Sequence, residues 1–196
     1  MMKHLLLLLS IVFHHATSNS SLYDQKAIDI NGLEVDFNVF KGKVLLIVNV
    51  ASECGFTDSH YKDLQRIVDI LGHDDHFQVL GFPCNQFGGQ EPGDEAAIDE
   101  FVRTTYNIDF PMFGKVNVIG DDAAPLWKYI VQVAQVKTEW NFYKYLFSHD
   151  GKILGAYPSR FSVNDAFNDI QKAVKVAQKA SKEAPKVVKK DLKEEL

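Results

Sequence analysis

Two apolar runs, "KVLLIVNV" at 43–50 and "FQVLGFP" at 77–83, do most to limit how this chain can fold. Neither alternates with polar residues, so each reads as a strand covered on both faces. The segment between them changes period. Tyr61, Leu64, Val68 and Leu71 recur at spacings of three and four, Thr57 is placed to cap a helix start, and Gly72 to end it. Strand, helix, strand over about forty residues predicts a βαβ unit, with parallel strands and a right-handed crossover.

The remaining segments extend that unit. "AIDINGLEVDF" alternates about Asn31-Gly32, a hairpin signal. Pro92-Gly93-Asp94 opens a helix to about Tyr106, with Ile98, Phe101 and Val102 facing inward. Pro125 suits the first turn of another, leading Leu126, Tyr129, Ile130 and Val133. "WNFYKYLFS" and "KILGAYPS" read as two strands joined at Asp150-Gly151. Ser162 and Asp165 form a capping-box pattern for a last helix, whose apolar positions are Ala166, Ile170, Val174 and Ala177. This order predicts an α/β fold: a central mixed sheet with helices on both faces and an N-terminal hairpin.

Both ends read as addresses. Lys3 precedes "HLLLLLSIVF", an apolar run that fits a signal-peptide core and is too short for the ~20 residues of a membrane span. Cleavage is expected near Ala16–Ser18, so residues 1–18 form a leader and 19–180 a single domain. Residues 181–196 are a charged, partly disordered tail, and its final "KEEL" resembles the K-D-E-L signal that retains proteins in the endoplasmic reticulum. Asn19-Ser20-Ser21 is a glycosylation sequon at the expected mature terminus. The net charge of −5 and the absence of a basic stripe argue against a nucleic-acid partner. His14 and His15 fall in the leader, and neither a metal nor a cofactor site is expected.

The chain has two cysteines, Cys54 and Cys84. In a secreted protein the plain reading of such a pair is a structural disulfide. The position of Cys54 suggests more. It follows the carboxyl end of a buried strand, where open α/β sheets bind ligands, and precedes a helix whose first N–H groups favour an anion. A thiolate is such an anion, and that placement activates cysteines.

"NVASECGFT" resembles the first signature of the glutathione peroxidase family, "GFPCNQFGGQEPG" the second and "WNFYKYLFSHDGK" the third. The three occur in the family's order, and the resemblance spans roughly residues 22 to 175. It implies a thioredoxin-like fold. It places Cys54 where the family has its peroxidatic cysteine or selenocysteine, Gln90 at the catalytic glutamine, and Trp140 and Asn141 at the catalytic tryptophan and asparagine. The residue types suit the reaction. A thiolate attacking an O–O bond needs N–H donors for the sulfur and for the departing oxygen, and an indole and two amides supply them without a fixed counter-charge.

The chain departs from plant-like members, since Arg103 stands where their resolving cysteine would be. It also lacks the insertion used by tetrameric members, so a monomer is expected. Together with the address signals, the resemblance points to the branch resident in the endoplasmic reticulum. It implies a peroxide substrate, a protein disulfide isomerase or glutathione as reductant, and a KDEL-type receptor. Cys84 is then either a core residue or a resolving partner of Cys54. Two other readings remain open here: a glutathione- or thioredoxin-dependent peroxidase, and a redox-sensing binding module.

Overall fold

The computed structural model describes residues 20–183. The expected leader, the Asn19 sequon acceptor and the "KEEL" terminus lie outside the described residues. After a short 3-10 turn at Leu22–Asp24, an antiparallel hairpin pairs β1 (Lys26–Ile28) with β2 (Glu34–Asp36), turning through Gly32 at φ 86°. The main sheet has β3 (Val44–Val50), β4 (Phe77–Pro83), β5 (Lys144–Phe147) and β6 (Ile153–Tyr157), in the order β4-β3-β5-β6. β3 and β4 are parallel and adjacent, in register from Val44↔Phe77 to Val50↔Pro83. β5 lies antiparallel to both β3 and β6.

β3 is central because every one of its residues is buried. Burying each Val, Leu or Ile side chain is worth ~1.5–3 kcal/mol, so an unbroken apolar strand is most stable with layers on both sides. Alternation sorts its side chains. Leu46, Val48 and Val50 pack with α1 (Thr57–Leu71), α2 (Glu95–Tyr106) and α4 (Val163–Glu183). Leu45 and Ile47 pack with α3 (Pro125–Ala134) and the N-terminal aromatics Phe37 and Phe40.

The expected helices are all present. Pro125 is at the first turn of α3, and Asp94 caps α2 through the Ala97 N–H. The Ser162–Asp165 box precedes α4, with Asp165 N donating to Ser162 Oγ at 3.1 Å and Ser162 N to Asp165 Oδ2 at 3.0 Å. α4 continues to Glu183, three residues past the expected domain end. Thr57 is a correction. It is the first helical residue rather than the cap, and its hydroxyl turns back to accept from Cys54 N and donate to Ala51 O. The Trp140–Tyr143 stretch also differs. It is a turn, and the strand begins at Lys144.

Candidate active site

β3 runs out at Val50, and a tight loop carries the chain into α1. Cys54 sits in that loop, 8 % exposed. The loop closes on itself: Cys54 N donates to Thr57 Oγ1 at 3.0 Å, Thr57 Oγ1 to Ala51 O at 2.7 Å, and Thr57 N to Cys54 O at 3.0 Å. Thr57 thus holds both peptide groups of the cysteine, in the loop that leads into the amino end of α1.

The loop after β4 reaches this turn from one side. Glu53 N donates to Gln90 O at 3.0 Å, which fixes Gln90 against the residue before the cysteine. Gly88 and Gly89 both have left-handed backbones, φ 70° and 64°. Two consecutive residues of this kind need glycine, and the reversal they make delivers Gln90. Glu91 follows, fully buried, and burial pushes its carboxyl above the usual range.

The turn before β5 closes the other side. Asn141 is fully buried, and its Nδ2 donates to Gln90 Oε1 at 2.9 Å and to Phe87 O at 3.3 Å. Trp140 is 40 % exposed, its ring centroid 5.8 Å from that of Phe87. Its ring edge also lies over Gly88, 3.6 Å from where a Cβ would stand. The structure therefore joins Gln90, Asn141 and Trp140 in one assembly on the loop that contacts Glu53. A cleft of about 220 Å³ opens beside it, with Phe56, Trp140, Tyr143 and Pro158 in its walls and Arg160 at its rim.

Two residues that the sequence reading passed over hold this assembly. Asn49, buried within β3, donates Nδ2 to Trp140 O and accepts from Tyr143 N, both at 3.0 Å, while its own carbonyl accepts from Phe142 N at 2.6 Å. Lys144, buried at the start of β5, donates to Phe142 O at 2.8 Å. Each carries a legible signal: a polar residue inside an apolar strand must find partners.

Cys84 lies elsewhere. Its N–H bonds to Val50 O at 3.0 Å, so its backbone neighbours the end of β3. It continues the alternation of Leu80 and Phe82 and packs with them on the α3 face, whereas Cys54 packs on the α1 face. In this structure both thiols are free and lie on opposite faces of the sheet. Burial pushes the Cys84 thiol above its ordinary value. Arg103, expected from the resemblance to stand where plant-like members have a resolving cysteine, donates to the carbonyls of Ile108 and Phe110 at the end of α2.

The fold and this arrangement define a class: an oxidoreductase on a thioredoxin-like fold. The family model described as glutathione peroxidase matches residues 22–131. Human glutathione peroxidase 7 is 46 % identical over 160 residues, covering 82 % of this chain and 85 % of that protein. A probable phospholipid hydroperoxide glutathione peroxidase of Citrus sinensis is 41 % identical over 164 residues, covering 82 % and 98 %. The solved structure of Trgpx in its apo form superposes with TM-score 0.67 at 38 % identity, covering 81 % and 97 %. A thioredoxin-family thiol:disulfide interchange protein of Chlorobium tepidum, 14 % identical over 76 % of this chain and 92 % of that one, superposes with TM-score 0.58 and shares the fold alone. The chain belongs to the glutathione peroxidase family. It is a peroxidase, and it reduces peroxide at the expense of a thiol.

Proposed function

We propose that Cys54 is the sulfur that attacks the peroxide, in a monomeric enzyme of the endoplasmic reticulum lumen. The observation that carries this reading is the Gln90–Asn141 hydrogen bond in a loop that itself bonds to Glu53. Asn141 commits its N–H groups to Gln90 and Phe87, so it orients the glutamine. That leaves the Gln90 amide and the Trp140 indole as the donors for the reaction.

The Cys54 thiolate attacks one peroxide oxygen, the O–O bond breaks, and Cys54 becomes a sulfenic acid. The other oxygen departs as hydroxide or alkoxide and takes a proton to become water or an alcohol. A thiol of the reductant then attacks the sulfenic sulfur, releases water and leaves a mixed disulfide. A second thiol of the reductant breaks that disulfide, restores Cys54 and carries away the new disulfide.

The reductant is a protein dithiol of the disulfide isomerase type. Cys84 is a poor internal alternative, because its side chain belongs to the opposite face of the sheet. The test is peroxide turnover with a disulfide isomerase, thioredoxin and glutathione offered separately. The isomerase is expected to support the fastest turnover, and Cys84→Ser to keep most of it. Preference for glutathione, or loss of isomerase-coupled turnover in Cys84→Ser, would overturn the proposed reductant or the proposed route.

The location rests on the apolar leader and on "KEEL", which a KDEL-type receptor would read at a free carboxyl end. Removing Glu194–Leu196 is expected to send the protein into the medium of expressing cells. Full retention after that deletion would refute the signal.

A further inference from the structure

We propose that Lys144 is a positioning residue for the Cys54 reaction, its buried ammonium tying together the three segments that shape the site. The inference rests on Cys54 being the reacting sulfur. Lys144 Nζ donates to Phe142 O at 2.8 Å and to Pro158 O at 3.2 Å, and lies 3.2 Å from His60 Nε2. His60 Nδ1 is 3.2 Å from Phe56 O and 3.3 Å from Ser59 Oγ, a placement that suits a neutral ring donating at Nδ1 and accepting at Nε2. Burial, then the charge of Lys144, pushes His60 down to about 4, in keeping with that tautomer. Three ammonium hydrogens thus meet three acceptors.

Each acceptor belongs to a different wall. Phe142 follows Trp140 and Asn141 and has a left-handed backbone at φ 61°, a strained setting for an aromatic residue. Phe56 lies two residues after Cys54, and its ring packs on His60 at 5.4 Å, with Phe142 on the same imidazole at 5.1 Å. Pro158 begins the turn that, with Trp140, lines the cleft. No carboxylate pairs with Lys144 among the described residues. A buried charge answered only by two carbonyls and a neutral imidazole is costly, and an apolar side chain of equal length would fill the space without it. The charge makes sense as the hub of the three segments.

The hub is sensitive to pH. Burial lowers Lys144 to about 7, opposed by Asp165 on α4, while Asp63 on α1 faces His60. As pH rises through about 7, the amine keeps two hydrogens for three acceptors and one segment loses its tie. Stability moves the other way. Between about 7 and the ordinary lysine value the unfolded chain holds a proton that the folded chain has released, so raising pH favours the fold. A merely structural lysine would move reactivity and stability together.

The experiment measures the rate of sulfenic acid formation on Cys54 from pH 6 to 9, trapped with a 1,3-dione and read by mass spectrometry. Lys144→Met is expected to be about tenfold slower at pH 6, the loss that a small misplacement produces. The gap should narrow as pH rises. Over the same range the stability of the wild type in urea should increase relative to that of Lys144→Met. The wild type also answers without a variant: its rate per thiolate, with thiolate read at 240 nm, should fall through pH 7. A folded Lys144→Met that reacts at the wild-type rate, a rate ratio independent of pH, or a flat wild-type rate per thiolate would overturn the proposal. Absence of sulfenic acid on Cys54 in the wild type would overturn the Cys54 reading and this one with it. Normal oxidation in Lys144→Met overturns this one alone.

Discussion

Cys54→Ser is expected to reduce peroxide turnover to the uncatalysed background while leaving the fold in place. The two halves of that expectation have separate causes. Attack on an O–O bond requires a thiolate, and a serine hydroxyl is neither ionised nor polarisable enough to replace it. The neighbouring bonds do not involve sulfur. Cys54 uses its backbone N–H and carbonyl to bind Thr57, and Glu53 uses its N–H to bind Gln90. The smaller, more polar hydroxyl should therefore cost about 1 kcal/mol, a typical single-site effect. Turnover and a urea melt on the same preparation separate the two. A stable Cys54→Ser protein that still consumes peroxide would place the chemistry elsewhere. Cys84→Ser makes the comparison internal, since it changes the other thiol on the far side of the sheet.

The sheet and its helices were legible because each is written in local pattern. "KVLLIVNV" and "FQVLGFP" became neighbouring parallel strands, and the 3–4 spacing from Tyr61 to Leu71 became α1. Even the face of Cys84 could be counted, two residues on from Phe82 and four from Leu80. The bonds that assemble the site were not legible, because they join distant segments. Asn49 meets Tyr143 across 94 positions, and Lys144 meets His60 across 84. Thr57 shows a nearer limit. A threonine at a helix start reads as a cap, yet here Phe56 takes the cap position and the hydroxyl faces back to Ala51 and Cys54. Pattern and resemblance singled out Cys54, Gln90, Trp140 and Asn141, while the polar residues that hold their segments together depend on pairings that pattern does not encode.

Asn49→Ala is expected to destabilise the fold and slow the peroxide reaction together. Its amide is the only side chain bonded to both Trp140 O and Tyr143 N among the described residues. Alanine would leave the buried Tyr143 N–H and the partly buried Trp140 carbonyl without that partner, at ~1–3 kcal/mol each, so a loss of about 3 kcal/mol is expected. A domain of this size loses ~2–4 °C in Tm per kcal/mol, which predicts a drop of about 10 °C. That is a large share of the ~5–15 kcal/mol that holds a typical domain, though the protein should still fold. Of its three bonds to Asn49, the turn carrying Trp140 and Asn141 would keep only the backbone tie from Phe142 N to Asn49 O. A shift of about 1 Å there can cost roughly a hundredfold in rate. Asn49→Asp separates the hydrogen bond from the packing. An ionised aspartate can accept from Tyr143 N but repels Trp140 O, whereas a protonated one can donate to it. Burial should raise that carboxyl, so the folded variant binds a proton more readily than the unfolded chain. Its stability relative to wild type should accordingly rise as pH falls through the raised value, and decline as pH climbs back. Melting curves of wild type, Asn49→Ala and Asn49→Asp between pH 4 and 8 would test this. If Asn49→Ala keeps a peroxide rate within twofold of wild type, or the Asn49→Asp deficit does not change with pH, Asn49 does not hold the Trp140 turn in place.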